Sequence, residues 1–84
     1  MKFQIWIDPN VEKSLKKLPK VDYYRVLSAL SVISNDPFIG KKLRGELFGS
    51  YNYRVWPYRI IYQIKKREMT ILITRIGHRQ GVYR

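Results

Sequence analysis

Four arginines, Arg54, Arg59, Arg75 and Arg79, fall in the C-terminal part of the chain, interleaved with Tyr51, Tyr53, Tyr58, Tyr62 and Tyr83. A guanidinium carries a permanent charge, and its planar fork can hold two phosphate oxygens at once, so two or three of them converging on one cleft would bind an anionic ligand. Taken singly, each is equally well explained as a solvated strand residue that guards a sheet against aggregation. The strand tyrosines read as core residues, ring buried and hydroxyl reaching water. Tyr83 differs, because it follows Gly81 by two residues and stands beside the terminal Arg84, where it could stack on a base or handle a proton. His78 is the only histidine. Imidazole suits proton transfer near neutral pH, although a lone histidine after a strand is most often an ordinary surface residue. Glu46, one of six acids, sits in the basic run "KKLRGELFG", where it is either half of a local ion pair or a general base beside a phosphate cleft.

Other chemistries lack their residues. The sequence contains no Cys/His ligand cluster, phosphate-cradling glycine loop, nucleophile elbow or paired carboxylates of a two-metal nuclease, so any reaction is expected to run without metal or cofactor. RNA permits such a reaction. Its own 2′-hydroxyl can attack the adjacent phosphate if a protein orients it and neutralises the charge that builds on the phosphorane.

The elements that must position these residues can be read from the pattern of apolar side chains. Residues 1–84 are expected to form a single domain with a thin core, since 45% of them are apolar and 14% aromatic. Seventeen Lys and Arg against six Asp and Glu give a net charge of +11, which implies a polyanionic partner, RNA or DNA rather than a membrane. The absence of cysteine and of a long apolar segment suits a soluble protein of the reducing cytoplasm. "KFQIWI" (2–7) alternates as a strand, Asp8 and Pro9 open a first helix over about 9–17, and a second helical period covers about 20–34. From Tyr51 the period becomes two. Tyr51, Tyr53 and Val55 fall on one face and Asn52, Arg54 and Trp56 on the other, then Tyr58, Ile60, Tyr62 and Ile64 oppose Arg59, Ile61 and Gln63. Arg54 and Arg59 share a face if the turn at Trp56 and Pro57 preserves the register. "MTILITRI" (69–76) is a further strand whose two faces are too similar for parity to orient it, and 38–50 reads as a basic connection bearing glycines. The fold class is α+β: a helical hairpin packed on a mostly antiparallel four-stranded sheet, in the order β-α-α-β-β-β.

This order, together with "KSLKKLPK", "NDPFIGKKLRGEL", "YRVWPYRIIYQI" and the closing "RIGHRQGVYR", resembles the RelE toxins of the RelE/ParE superfamily over essentially the whole chain. The resemblance implies a type II toxin that enters the ribosomal A site and cleaves the exposed messenger RNA, with Arg54, Arg59, Arg79 and Tyr83 as the matching functional positions. Glu46 is similar in placement to a general-base glutamate of the YoeB branch, within a comparable "HEL" segment. Since arginine does not readily give up its proton, Glu46, His78 and Tyr83 are the candidates for acid and base. Lys41, Lys42, Arg44, Asn52, Arg75 and Arg84 are expected to hold RNA or the ribosome. Asn52 stands where some RelE members have lysine, which leaves open a catalytically degenerate binding module. A gyrase-poisoning protein of the ParE type is the other alternative. The resemblance further implies an antitoxin encoded beside the toxin, and operator binding chiefly through that antitoxin. The tail "GHRQGVYR" (77–84) is expected to close over a nucleotide, its glycines permitting the turn.

Overall fold

A computed structural model of the chain describes residues 2–78. Strand β1 (Gln4–Ile7) leads into helix α1 (Pro9–Lys16), helix α2 (Lys20–Asn35), the short strand β2 (Lys41–Lys42) and the strands β3 (Tyr51–Val55), β4 (Tyr58–Lys65) and β5 (Thr70–His78). The five strands form one sheet in the order β1-β5-β4-β3-β2. β1 runs parallel to β5, and the other neighbours are antiparallel. The α+β class and the helical hairpin are as the sequence pattern indicates. The sheet has a fifth strand, because Lys41 and Lys42 pair with Asn52 and Tyr51 at its edge. Two residues are too few to show a period of two, which is why this segment reads as a plain connection.

Local chemistry explains the helices. Asp8 caps α1 by accepting a hydrogen bond from the Asn10 amide at 2.9 Å, and Pro9 supplies a preset first helical position. Val11 and Leu15, one turn apart, bury the inner stripe of α1. Val26, Ala29, Leu30 and Ile33 do the same for α2. These side chains meet Ile60, Tyr62, Ile71 and Ile73 in one core on a single face of the sheet. The end of α2 is tied to β1 twice: the Phe3 amide donates to the Ser34 carbonyl at 3.0 Å, and the Ser34 hydroxyl donates to the Phe3 carbonyl. Among the described residues no helix is long and apolar enough to cross a membrane.

β5 changes phase halfway along. Tyr62 pairs with Ile73 but Ile61 pairs with Arg75, so Thr74 is an extra residue, a β-bulge. Its hydroxyl donates to the Ile61 carbonyl at 3.2 Å. Before the bulge Ile71 and Ile73 face the helices, and after it Ile76 does. Arg75 and Gly77 are thereby turned to the helix-free face. An unbroken strand would have sent Arg75 into the core.

Tyr62 fastens the segment that carries β2. Its hydroxyl donates to the Pro37 carbonyl at 2.8 Å and accepts from the Gly40 amide at 3.1 Å. A Cβ added at Gly40 would intrude on both the Tyr62 hydroxyl and the Asn52 carbonyl oxygen, the latter at 3.0 Å. Gly40→Ala is therefore expected to cost about 1–3 kcal/mol through overpacking, read as a lower denaturant midpoint with unchanged slope.

Candidate functional site

The two-residue turn of Trp56 and cis-Pro57 joins Val55 to its partner Tyr58, so parity is preserved across the hairpin. Arg54 and Arg59 are then directly opposite each other on the helix-free face. α2 braces this turn: Arg25 Nη2 donates to the Trp56 carbonyl at 2.6 Å, and the Tyr58 hydroxyl donates to Asp22 Oδ2 at 2.8 Å. The bond to Asp22, then burial, raises the Tyr58 pKa above its ordinary value and keeps the phenol a neutral donor.

The pairing brings two guanidiniums to one place on the sheet, an arrangement suited to an anion lying between them. A groove of about 690 Å³ surrounds the pair, lined also by Lys41, Lys42, Leu43, Arg44, Phe48 and Asn52. Among the described residues its charged lining is five cations and no carboxylate, a donor set suited to phosphate rather than to a divalent metal. Among the described residues no group of three or more His, Cys, Asp or Glu side chains could hold a metal ion. The fifth strand thus has a functional consequence: edge pairing carries Lys41 and Lys42 to the same groove as Arg54 and Arg59.

The other residues singled out in the sequence divide by position. Arg75 faces the Ile61 side of the sheet, one diagonal step from Arg59. Glu46 is exposed on the 3-10 turn Gly45–Leu47, between the lining residues Arg44 and Phe48 but outside the lining itself. His78 pairs with Tyr58, and their rings meet edge to face at 6.1 Å. Tyr58 belongs to the helix side, so the structure separates His78 from the arginine groove; the bulge at Thr74 is the reason. Arg79, Tyr83 and Arg84 lie outside the described residues.

Phe48 was not singled out by its sequence, and it is 82% exposed on the wall of the groove. A signal was present: an aromatic residue in a polar loop, just before Gly49, which with Gly45 adopts positive φ (90° and 73°). An exposed ring beside a cationic track is what single-stranded nucleic acid uses for stacking.

Comparison with known proteins gives a consistent result. Residues 5–83 match the family model described as the ParE toxin of the type II toxin–antitoxin system parDE. The chain is 32% identical to Toxin RelG of Mycobacterium tuberculosis over 90 aligned positions, covering 100% of this chain and 99% of the relative. It is similar to a chain of the RelBE2 toxin–antitoxin complex from the same organism, with TM-score 0.85, 30% identity, and 93% and 99% of the two chains covered. It also resembles a chain of the archaeal RelE–RelB complex from Pyrococcus horikoshii OT3, with TM-score 0.81, 28% identity, and 98% and 100% covered.

Proposed function

The chain belongs to the ParE toxin family of the RelE/ParE superfamily, a toxin of a type II toxin–antitoxin system, and from that premise we propose that it is a ribosome-dependent endoribonuclease that cleaves messenger RNA in the A site and arrests translation. The observation that carries this reading is the facing pair Arg54 and Arg59 inside a groove whose charged lining, among the described residues, is wholly cationic.

In the proposed reaction the scissile phosphate lies between the two guanidiniums. The 2′-oxygen forms a bond to phosphorus, its proton passing to a base, and the bond to the 5′-oxygen of the next nucleotide breaks, that oxygen taking up a proton. The products are a 2′,3′-cyclic phosphate and a 5′-hydroxyl end. Arg54 and Arg59 stabilise the added negative charge of the phosphorane, Lys41, Lys42 and Arg44 track the neighbouring phosphates, and Phe48 offers a stacking surface. Arg79 and Tyr83 are assigned to the same site by their match to the family motif. Glu46 at the rim and Tyr83 are the proposed proton carriers; the position of His78 on the other side of the sheet weighs against it.

The relatives from M. tuberculosis and P. horikoshii were solved as toxin–antitoxin complexes, which supports a cognate antitoxin as partner, and a net charge of +11 suits an acidic one. Operator DNA would be met through that complex, and action on ribosomes places the protein in the cytoplasm. The family model's own description favours a second reading, a gyrase poison of the ParE type. Purified protein added to in vitro translation, with primer extension on the message, tests the first reading: cleavage within codons at the A site is expected. An intact message together with loss of gyrase supercoiling would select the second, and an intact message with unaffected gyrase would leave a binding module.

A further inference from the structure

A second cleft, of about 290 Å³, adjoins the arginine groove at the β2 edge of the sheet. It shares Lys42, Leu43 and Phe48 with the groove, and its other walls include Phe38, Tyr51, Ile64 and Lys66. Tyr51 and Ile64 pack toward the core, so the two cavities meet around the edge of the sheet rather than across one face. Among the described residues the cleft is lined by two lysines and no carboxylate. Phe38, in the 3-10 turn Pro37–Ile39, is 52% exposed. Single exposed apolar residues are ordinary, but this one is fixed in place. The Tyr62 hydroxyl holds the Pro37 carbonyl before it and the Gly40 amide after it. Its ring meets Tyr51 edge to face at 6.0 Å, and Tyr51 in turn stacks on Tyr62 at 5.6 Å. A ring ordered before its ligand arrives loses little freedom on binding, which is what a stacking platform requires.

We propose that this cleft is a base-stacking subsite: Phe38 takes the base of a nucleotide next to those whose phosphates lie in the arginine groove, and Lys66 takes that nucleotide's phosphate. The inference rests on the reading that the groove holds a nucleic-acid strand. Lys42 lines both cavities, so a strand leaving the groove reaches the cleft without a break in the cationic track. Lys66 Nζ now lies 5.2 Å from the centre of the Phe38 ring. An exposed cation–π contact of this kind is weaker than a stacked base, so a base displaces the ammonium and leaves it to the phosphate. A peptide fits less well. The side chains of Phe38, Leu43, Phe48, Ile64 and the two lysines offer no acceptor to its N–H groups, whereas ring faces and ammonium groups are what a base and its phosphate use. Every base has a π-face, so the subsite is indifferent to sequence.

The test is fluorescence anisotropy with a short labelled RNA strand and with a strand of equal length whose riboses carry no bases. Phe38→Ala is expected to weaken the intact strand about tenfold and to leave the baseless strand unchanged, the scale of one lost stacking contact. Phe38→Leu, which keeps apolar packing against Tyr51 without a flat face, is expected to show the same loss at the wild-type melting temperature, and Phe38→Trp to bind at least as tightly as wild type. Lys66→Ala is expected to weaken both strands alike and to lower the salt slope by about one. Equal weakening of the two strands by Phe38→Leu would overturn the proposal, and so would failure of wild type to bind either strand. Unchanged RNA binding by Phe38→Leu, while Arg54→Ala weakens both strands, would remove the subsite and leave the groove. If that same variant no longer copurified with a co-expressed antitoxin, the cleft would belong to the protein partner instead. Because the assay has no cleavage step, a base-dependent loss in a protein that leaves messages intact would remove the nuclease reading alone.

Discussion

Arg59→Ala is expected to lower message cleavage by about 100- to 1000-fold, the range seen when one preorganised donor to a developing anion is removed, and to relieve growth arrest when the toxin is expressed alone. Thermal melting of the same variant separates a lost reaction from a lost fold. A residue whose role was structural would lose activity and stability together, whereas activity lost from a protein at least as stable marks a group retained for its ligand. Arg59→Lys is expected to recover only part of the rate, because it restores charge without the two-oxygen fork. Primer extension on translated message together with thermal melting checks both halves, and cleavage at the wild-type rate in Arg59→Ala would remove this residue from the mechanism.

Tyr62→Phe is expected to cost the fold two buried hydrogen bonds at once. Tyr62 is fully buried, and deleting its hydroxyl strips the Pro37 carbonyl and the Gly40 amide of their partner together. About 1–3 kcal/mol follows for buried groups left unsatisfied, and each kcal/mol lowers the melting temperature of a domain this size by roughly 4–8 °C. The same phenol dictates an alkaline limit. Burial pushes its pKa from the ordinary 10.0 up to about 12, against the opposing effect of the Gly40 hydrogen bond. The folded chain then holds a proton that the unfolded chain has released, so this contribution is complete below pH 10 and is lost as pH rises through about 12. Denaturant titrations across that interval should show wild type losing more stability than Tyr62→Phe, and equal slopes for the two proteins would contradict the assignment.

The central hairpin was legible because its alternation is long and its turn has two residues, so counting by two from Tyr51 to Ile64 places Arg54 and Arg59 correctly. The helices were legible from Asp8, Pro9 and the apolar periods, with ends within a residue or so of those observed. β5 was not. Its two halves point their apolar side chains by opposite parity, and nothing in the local sequence marks Thr74 as the residue where the phase changes. That single insertion brings Arg75 toward the arginines and takes His78 away from them, so a linear count misplaces His78. Asn52 was legible only as a departure from lysine. Its burial depends on pairing with both Lys41 and Ile61, contacts between distant parts of the chain that no local pattern encodes.

The parallel pairing of β1 with β5 joins the first and last strands of the described residues. During synthesis, β1 and the helical hairpin leave the exit tunnel well before Thr70–His78, so the N-terminal strand waits with its long-range partner still unmade. The sheet that presents the groove is completed only when nearly the whole polypeptide is available. Until Thr70–His78 have been made, the strands that carry the cationic groove lack the neighbour that ties them to β1.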